Sequence, residues 1–298
     1  MFTKNAKLEG IINLILAIAL FSTFEVTSKI IGQKMSPNQI TFTRFFIGGL
    51  VLLPFAIIKI KTTKIKLKIH DYVNMGILGI VNIVISMGLI QFGLLYTNAS
   101  VCAILFSINP LFVVLFARIM EKEKITINKI IGLLLGIIGV ILLFYDSINK
   151  KTSNILGLIL ILSSAICFSF YTVLGKKITN QMKIGSLITT SISFLFGSIA
   201  LIPICIVSKD SVIPNTEGIL VYVLYMSIIV TGIAYVFYFN GLSKIGAGLG
   251  SMMYFAKPAL ASIFSVIILG EVISLNMIFG IVIIGVGIFI SQMLYIKE

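Results

Sequence analysis

The sequence predicts an all-α integral membrane protein of ten transmembrane helices, built as two inverted five-helix repeats with both termini in the cytoplasm. Three observations carry the prediction. Apolar stretches of span length recur along the chain, the basic residues favour one side of them, and the first half of the sequence recurs in the second.

The apolar stretches come first. Of 298 residues, 58% are hydrophobic and 11% charged, and the mean hydropathy is +1.14. A soluble domain carries about a quarter charged residues. The charges here are too few to coat a globule, so lipid must solvate most of the surface. A span needs about 20 mostly apolar residues. Stretches that qualify are 8–31, 37–58, 71–95, 99–118, 128–146, 154–175, 183–207, 216–241, 246–268 and 272–294. Each is continuously apolar and about twice the length of the alternating, roughly 10-residue strands of a membrane barrel, which excludes that class. The first stretch follows Lys4 and Lys7 as a signal peptide would, but no clean small-residue cleavage site follows, and it reads as a retained first span.

The basic residues orient the spans. With the N-terminus inside, sixteen Lys/Arg fall on the cytoplasmic side and five outside, while Arg44 and Lys257 lie within spans. This is the positive-inside bias. It accounts for the formal net charge of +13 through topology and anionic head groups, without a nucleic-acid partner. The expected setting is the plasma (inner) membrane, multi-pass, and the expected partners are a small-molecule substrate and the lipid bilayer, with the chain a monomer or homodimer.

The repeat divides the chain into 1–148 and 149–298. At an offset of 148, Gly93 falls on Gly241, Ala99 on Ala247, Pro110 on Pro258, Glu123 on Glu271, Gly132 on Gly280 and Gly139 on Gly287. At 147, Phe21, Ser22 and Lys29 fall on Phe168, Ser169 and Lys176. Five helices per half make the second half enter from the opposite side, an arrangement characteristic of secondary transporters.

The run Tyr96 to Ser100, then Pro110, Glu121-Lys122-Glu123, Gly132 and Gly139, resembles the repeated module of the drug/metabolite transporter superfamily, EamA type. The run Gly241 to Ala247, with Lys257-Pro258, Gly270-Glu271 and Gly280, resembles it again, and Arg44 fits the arginine usual in the second span. The resemblance covers the whole chain. It implies a ten-helix fold, a central cavity and export or exchange of amino acids or other small metabolites. It names no substrate.

An ionisable residue at mid-membrane costs a few kcal/mol or more unless paired or hydrated. Glu25, Arg44 and Lys257 stand out. Glu25 shares a helical face with Ser22 and Lys29; it reads as a substrate-ammonium or proton-coupling carboxylate, or as half of a structural ion pair. Lys257 precedes the kinking Pro258 and follows Tyr254 by one turn, so it could hold a substrate carboxylate or pair with Glu25. Its repeat partner Asn109 also precedes a proline, which places both near the pseudo-twofold axis. Arg44 is expected to snorkel to the outer head groups, with gating or anion recognition as the other reading. Asn109, Gln91, Tyr171, Tyr238 and Asn240 are polar residues within spans, open to substrate contact or helix-to-helix bonding. The basic pair suits an anion, Glu25 a cation, and a zwitterion uses both.

The remaining chemistry is sparse. Cys102, Cys167 and Cys205 lie in apolar runs without metal-ligand spacing and read as packing residues. One histidine, His70, makes a metal site or triad a poor fit. Glu123 and Glu271 fall on opposite membrane faces and are expected to cap helices 5 and 10. The glycines read as close helix contacts, since no phosphate-loop lysine follows them. Neither a cofactor nor an enzymatic activity is expected.

Overall fold

The computed structural model describes residues 4–32, 34–94, 96, 102, 105–143, 145, 154–181, 184–211, 214–269 and 274–297, and the regular structure among them is helical. The first span is α1 (Lys4–Ser22) and α2 (Phe24–Ile31), interrupted at Thr23. There the amide bonds back three residues to Leu20, and the Thr23 hydroxyl takes the same carbonyl at 2.8 Å. This tightened turn interrupts the regular stripe expected for Ser22, Glu25 and Lys29.

Helix α3 (Pro37–Thr63) opens on a capping box between Ser36 and Gln39, with Pro37 at its first position. At 1.5 Å per residue it is about 40 Å long, longer than the roughly 30 Å hydrocarbon core. It therefore runs past the expected residue 58 and carries Lys59 and Lys61 out of the lipid. The third span is α4 (Ile69–Gly79), a π-helical stretch Ile80–Ser86 and α5 (Met87–Leu94). Helices α6 (Asn109–Glu121) and α7 (Ile127–Leu143) complete the first half.

The second half repeats these features. It comprises α8 (Ile155–Gln181), α9 (Ser186–Val207), α10 (Leu220–Leu224), a π-helical stretch Tyr225–Ile233, α11 (Ala234–Ile245), α12 (Ala247–Met252), a 3-10 turn Met253–Phe255, α13 (Ala256–Leu269) and α14 (Leu275–Lys297). π-Helical turns sit at corresponding places in the third and eighth expected spans. Pro54 and Pro203 lie inside α3 and α9. Non-α turns precede both Asn109-Pro110 and Lys257-Pro258. Helices α8 and α11 extend to Gln181 and Ile245, past the expected 175 and 241, so that α8 continues through Lys176 and Lys177 and α11 through Lys244 in its last turn.

Among the described residues, seven helices are long and apolar enough to cross a membrane, and Ile127–Leu143 is a shorter apolar one. The chain is a multi-pass membrane protein. Its helices pack in pairs that survive exchange of the halves: α7 lies along α14 and α3 along α9; α1 packs on α11 as α8 packs on α5; and α12 meets α6. The α7–α14 contact and the contact of α4 with α9 need glycine. A Cβ on Gly280 would lie 2.7 Å from the Gly139 carbonyl oxygen, and one on Gly79 would lie 2.0 Å from the Ser193 carbonyl oxygen.

Gly79→Ala is therefore expected to lower stability by about 1–3 kcal/mol, because α4 and α9 must separate to admit the methyl. A Cβ on Gly88 meets nothing within 4 Å, and Gly88→Ala should leave the unfolding temperature unchanged or slightly raised. Thermal unfolding of the detergent-solubilised pair checks this; equal melting temperatures would show that the α4–α9 contact is loose.

Candidate functional site

Aromatic side chains from five helices and the turn before Lys257 converge at the centre of the bundle. Phe21 of α1 meets Tyr235 and Tyr238 of α11 at centroid distances of 4.9 and 5.8 Å. Tyr235 meets Phe194 of α9 at 5.0 Å and Phe45 of α3 at 6.0 Å. On the other side, Phe168 and Tyr171 of α8 meet Tyr254 and Phe239 at 5.8 and 5.4 Å. Most contacts are edge-to-face or tilted, the geometry that aligns ring edges with ring faces. Tyr171, Tyr238 and Phe239 are fully buried.

Two cations stand over one ring beside this hub. The Arg44 guanidinium carbon is 4.6 Å from the Phe24 centroid and 4.5 Å from Phe45. The Lys257 ammonium is 5.5 Å from Phe24 and 5.9 Å from Tyr254. Such contacts are worth about 2 kcal/mol when desolvated. Arg44 also donates to the Met87 sulfur at 3.1 Å. It does not snorkel: it is 7% exposed, held on the buried face of α3 where aromatic rings replace head groups.

Several polar atoms in the centre keep hydrogen-bonding capacity. The buried Tyr171 hydroxyl and the Asn109 side-chain oxygen find no hydrogen-bond partner among the described residues. The Asn82 amide neighbours the Tyr235 hydroxyl, and the Tyr238 hydroxyl neighbours that of Thr172, without reaching hydrogen-bond geometry. Thr172 instead donates to its own helix, at the Phe168 carbonyl. Leaving such groups unsatisfied costs about 1–3 kcal/mol each. Two cations, aromatic faces and unused hydroxyls together can hold an anionic group attached to an apolar body.

The structure thus brings Arg44, Lys257, Tyr254, Tyr171 and Tyr238 together. Ser22 is buried next to Phe21, but its hydroxyl donates to Ile18. Asn109 donates to the Phe106 carbonyl and approaches the hub through Phe106, whose ring is tilted against Phe168 at 5.3 Å, and through its own carbonyl, which accepts from Ser169 at 2.9 Å. Gln91 lies nine residues beyond Asn82, about 13 Å along the helix. Asn240 accepts from Ser186 at 3.0 Å and ties α11 to α9. The side chains of Glu25 and Lys29 lie outside the described residues, as does Glu271. Sequence reasoning missed Phe24, Asn82 and Tyr235; Phe21 and Phe168 were visible as repeat equivalents, but as apolar residues they gave no sign of lining a site.

Both ends of the bundle are tied. At the end where α1 begins, Glu123 caps α12 rather than helix 5: it accepts from the Ala247 and Gly248 amides at 2.8 and 3.1 Å. The αL residue Lys122 turns the chain so that the carboxylate points across the bundle, and Gly246 (φ +106) precedes the donating amides. Lys176 bonds both Glu121 and Glu123, and Lys129 reaches Glu123 at 3.5 Å. Burial pushes the Glu123 carboxyl up, but Lys176, Lys129 and the Ala247 amide outweigh it and hold it below the usual carboxylate range. Its contribution is present above the unfolded carboxyl's range and is lost only as pH falls through the lowered value, so it persists at neutral pH. At the opposite end, Asn38 donates to Asp210 at 2.8 Å and Lys34 to the Glu217 carbonyl at 2.8 Å.

Comparison with known proteins agrees with this architecture. A transporter of Clostridium kluyveri, named only as uncharacterized, is 34% identical over 290 residues, 95% of this chain and 93% of its own length. The uncharacterized transporter YyaM of Bacillus subtilis is 27% identical, over 92% of this chain and 91% of its own. One solved crystal structure shares the fold with a TM-score of 0.81 at 20% identity, over 98% of each chain. The EamA-like transporter family matches twice, at residues 8–145 and 155–293. Two family modules in tandem span nearly all of the sequence, and the chain belongs to the EamA-like transporter family.

Proposed function

We propose that the chain is a secondary transporter that exports amino acids or related zwitterionic metabolites by alternating access. The carrying observation is the pair of cations, Arg44 and Lys257, over the Phe24 ring at the edge of the aromatic hub. The pair suits a substrate carboxylate, the ring faces suit an apolar body, and Glu25, one residue from Phe24, suits an ammonium or a proton. In this reading ten helices form two halves, 1–148 and 149–298, that enter the plasma membrane from opposite sides with both termini in the cytoplasm. The exchangeable packing pairs support two halves that rock about the hub. The Glu123 cluster then acts as a cytoplasmic latch that must release for the site to open inward. The same two cations favour a second reading, an organic or sugar anion, over a cationic drug.

Uptake of labelled amino acids, amines, sugars and dyes into inside-out vesicles, with and without a proton gradient, tests the substrate class. Gradient-stimulated accumulation of an amino acid is expected; uptake of organic anions alone would favour the second reading. Lys257→Ala should weaken substrate binding more than Arg44→Ala, because Arg44 has Phe45 and Met87 as further contacts. The reverse order would move the site toward α3. Glu25→Gln should abolish the stimulation by the gradient with expression intact; identical pH dependence in wild type and variant would remove Glu25 from coupling. Glu123→Gln should raise maleimide labelling of Ser251→Cys from the cytoplasmic face several-fold, in a background without native cysteines. Unchanged labelling would mean that the cluster is structural and no latch.

A further inference from the structure

A second site lies on the lipid-facing side of the bundle, away from the hub. Helices α3, α4 and α9 leave a groove of about 310 Å³ between them. Its walls are apolar, with Leu53, Ile57 and Ile199 along its length and Ile60 and Tyr72 at one end. Ile60 lies in the last turn of α3 and Tyr72 in the first turn of α4, so the segment 64–68 that joins these helices crosses the mouth of the groove.

That segment is an ordered, two-faced strap. Lys64 turns the chain in the αL conformation, and the Ile65 amide then bonds the Ile60 carbonyl at 3.2 Å. The residues that follow alternate. Ile65 and Leu67 pack on the core, while Lys64, Lys66 and Lys68 are exposed. Lys61 is exposed in the turn before. The acid next in sequence, Asp71, is occupied, accepting the Lys68 amide at 2.8 Å. Ile69 is 81% exposed immediately beside the lysines, an apolar side chain at the level of the head groups. The fold thus sets a row of cations at the head-group end of an apolar furrow.

We propose that this groove and strap form a binding site for one anionic phospholipid, its acyl chain in the α3–α4–α9 furrow and its phosphodiester on Lys61, Lys64 and Lys66. The charge complementarity is local. A bulk positive-inside bias spreads lysines along loop edges, whereas here exposed lysines alternate along the segment that joins the two helices walling one furrow, and basic pockets between helices on this face are suited to anionic lipid. The groove also flanks Pro54, where α3 loses a backbone bond, so an ordered chain there would brace the helix that carries Arg44.

Native mass spectrometry of the full chain, released from micelles with equimolar phosphatidylglycerol and phosphatidylcholine, tests the site. Wild type is expected to retain a single phosphatidylglycerol in at least about tenfold preference. The triple change Lys61→Ser, Lys64→Ser and Lys66→Ser should abolish the preference while leaving unselective lipid adducts. Ile57→Trp, which fills the furrow from a lipid-exposed position, should lose the retained lipid with every lysine in place. Val221→Trp, on α10 and more exposed than Ile57, should behave as wild type. Equal retention of the two lipids by wild type would overturn the proposal whatever the variants do. So would full retention in Ile57→Trp, which would reduce the effect to surface attraction, or displacement of the lipid by inorganic phosphate, which would assign the lysines to a soluble anion.

Discussion

The structure depends on one constraint: inside lipid, each backbone amide and carbonyl must find its partner within the protein. Regular helix meets it anywhere. A break in a helix meets it only where neighbouring side chains or helices are at hand. The breaks in this chain follow that rule. At Thr23, a threonine hydroxyl shares the Leu20 carbonyl and lies 3.1 Å from the Tyr225 hydroxyl. In the π-helical stretches, Ser86 pairs with the Ser164 carbonyl of α8, and Ser227 takes the Val223 carbonyl. Each loosened turn is buried among helices, and the breaks in the first and ninth expected spans deliver Phe24 and Lys257 to the centre.

The same constraint explains why the polar chemistry is inside. Charged side chains on the lipid face would cost several kcal/mol each, so Arg44 and Lys257 are turned inward onto aromatic rings. Rings are suitable hosts because their faces attract cations without adding a charge.

Part of this was legible in the sequence. The helical, membrane-spanning character followed from composition, and Arg44, Lys257, Tyr254, Tyr171 and Tyr238, which the structure clusters, stood out by their cost or polarity at mid-membrane. What escaped was set by tertiary approach. Phe24 looks like any other apolar residue until two cations from distant helices meet over it. Tyr235 looked like a span tyrosine, yet its ring joins α1, α3, α8 and α9. Arg44 was expected at the head groups because position in a span gives depth but not which face is buried. Glu123 was expected to cap the helix next in sequence; the left-handed turn at Lys122 sends it instead to a helix more than 120 residues away. Local rules find a cap but not the helix that receives it.

The halves match in frame and differ in chemistry. Glycines, prolines and π turns correspond, because helix geometry and helix contacts demand the same small residues and the same kinks wherever the frame recurs. The candidate site positions do not correspond: Lys257 faces Asn109 across the repeat, Thr172 stands for Glu25, and Met87 for Tyr235. A rocking frame needs near-equal energies in its two arrangements, which repeated packing can supply. A binding site needs one defined set of charges, which repetition would double and so weaken through like-charge repulsion. Symmetric packing with asymmetric polar groups satisfies both demands, and it explains why the repeat was easier to read in this sequence than the site.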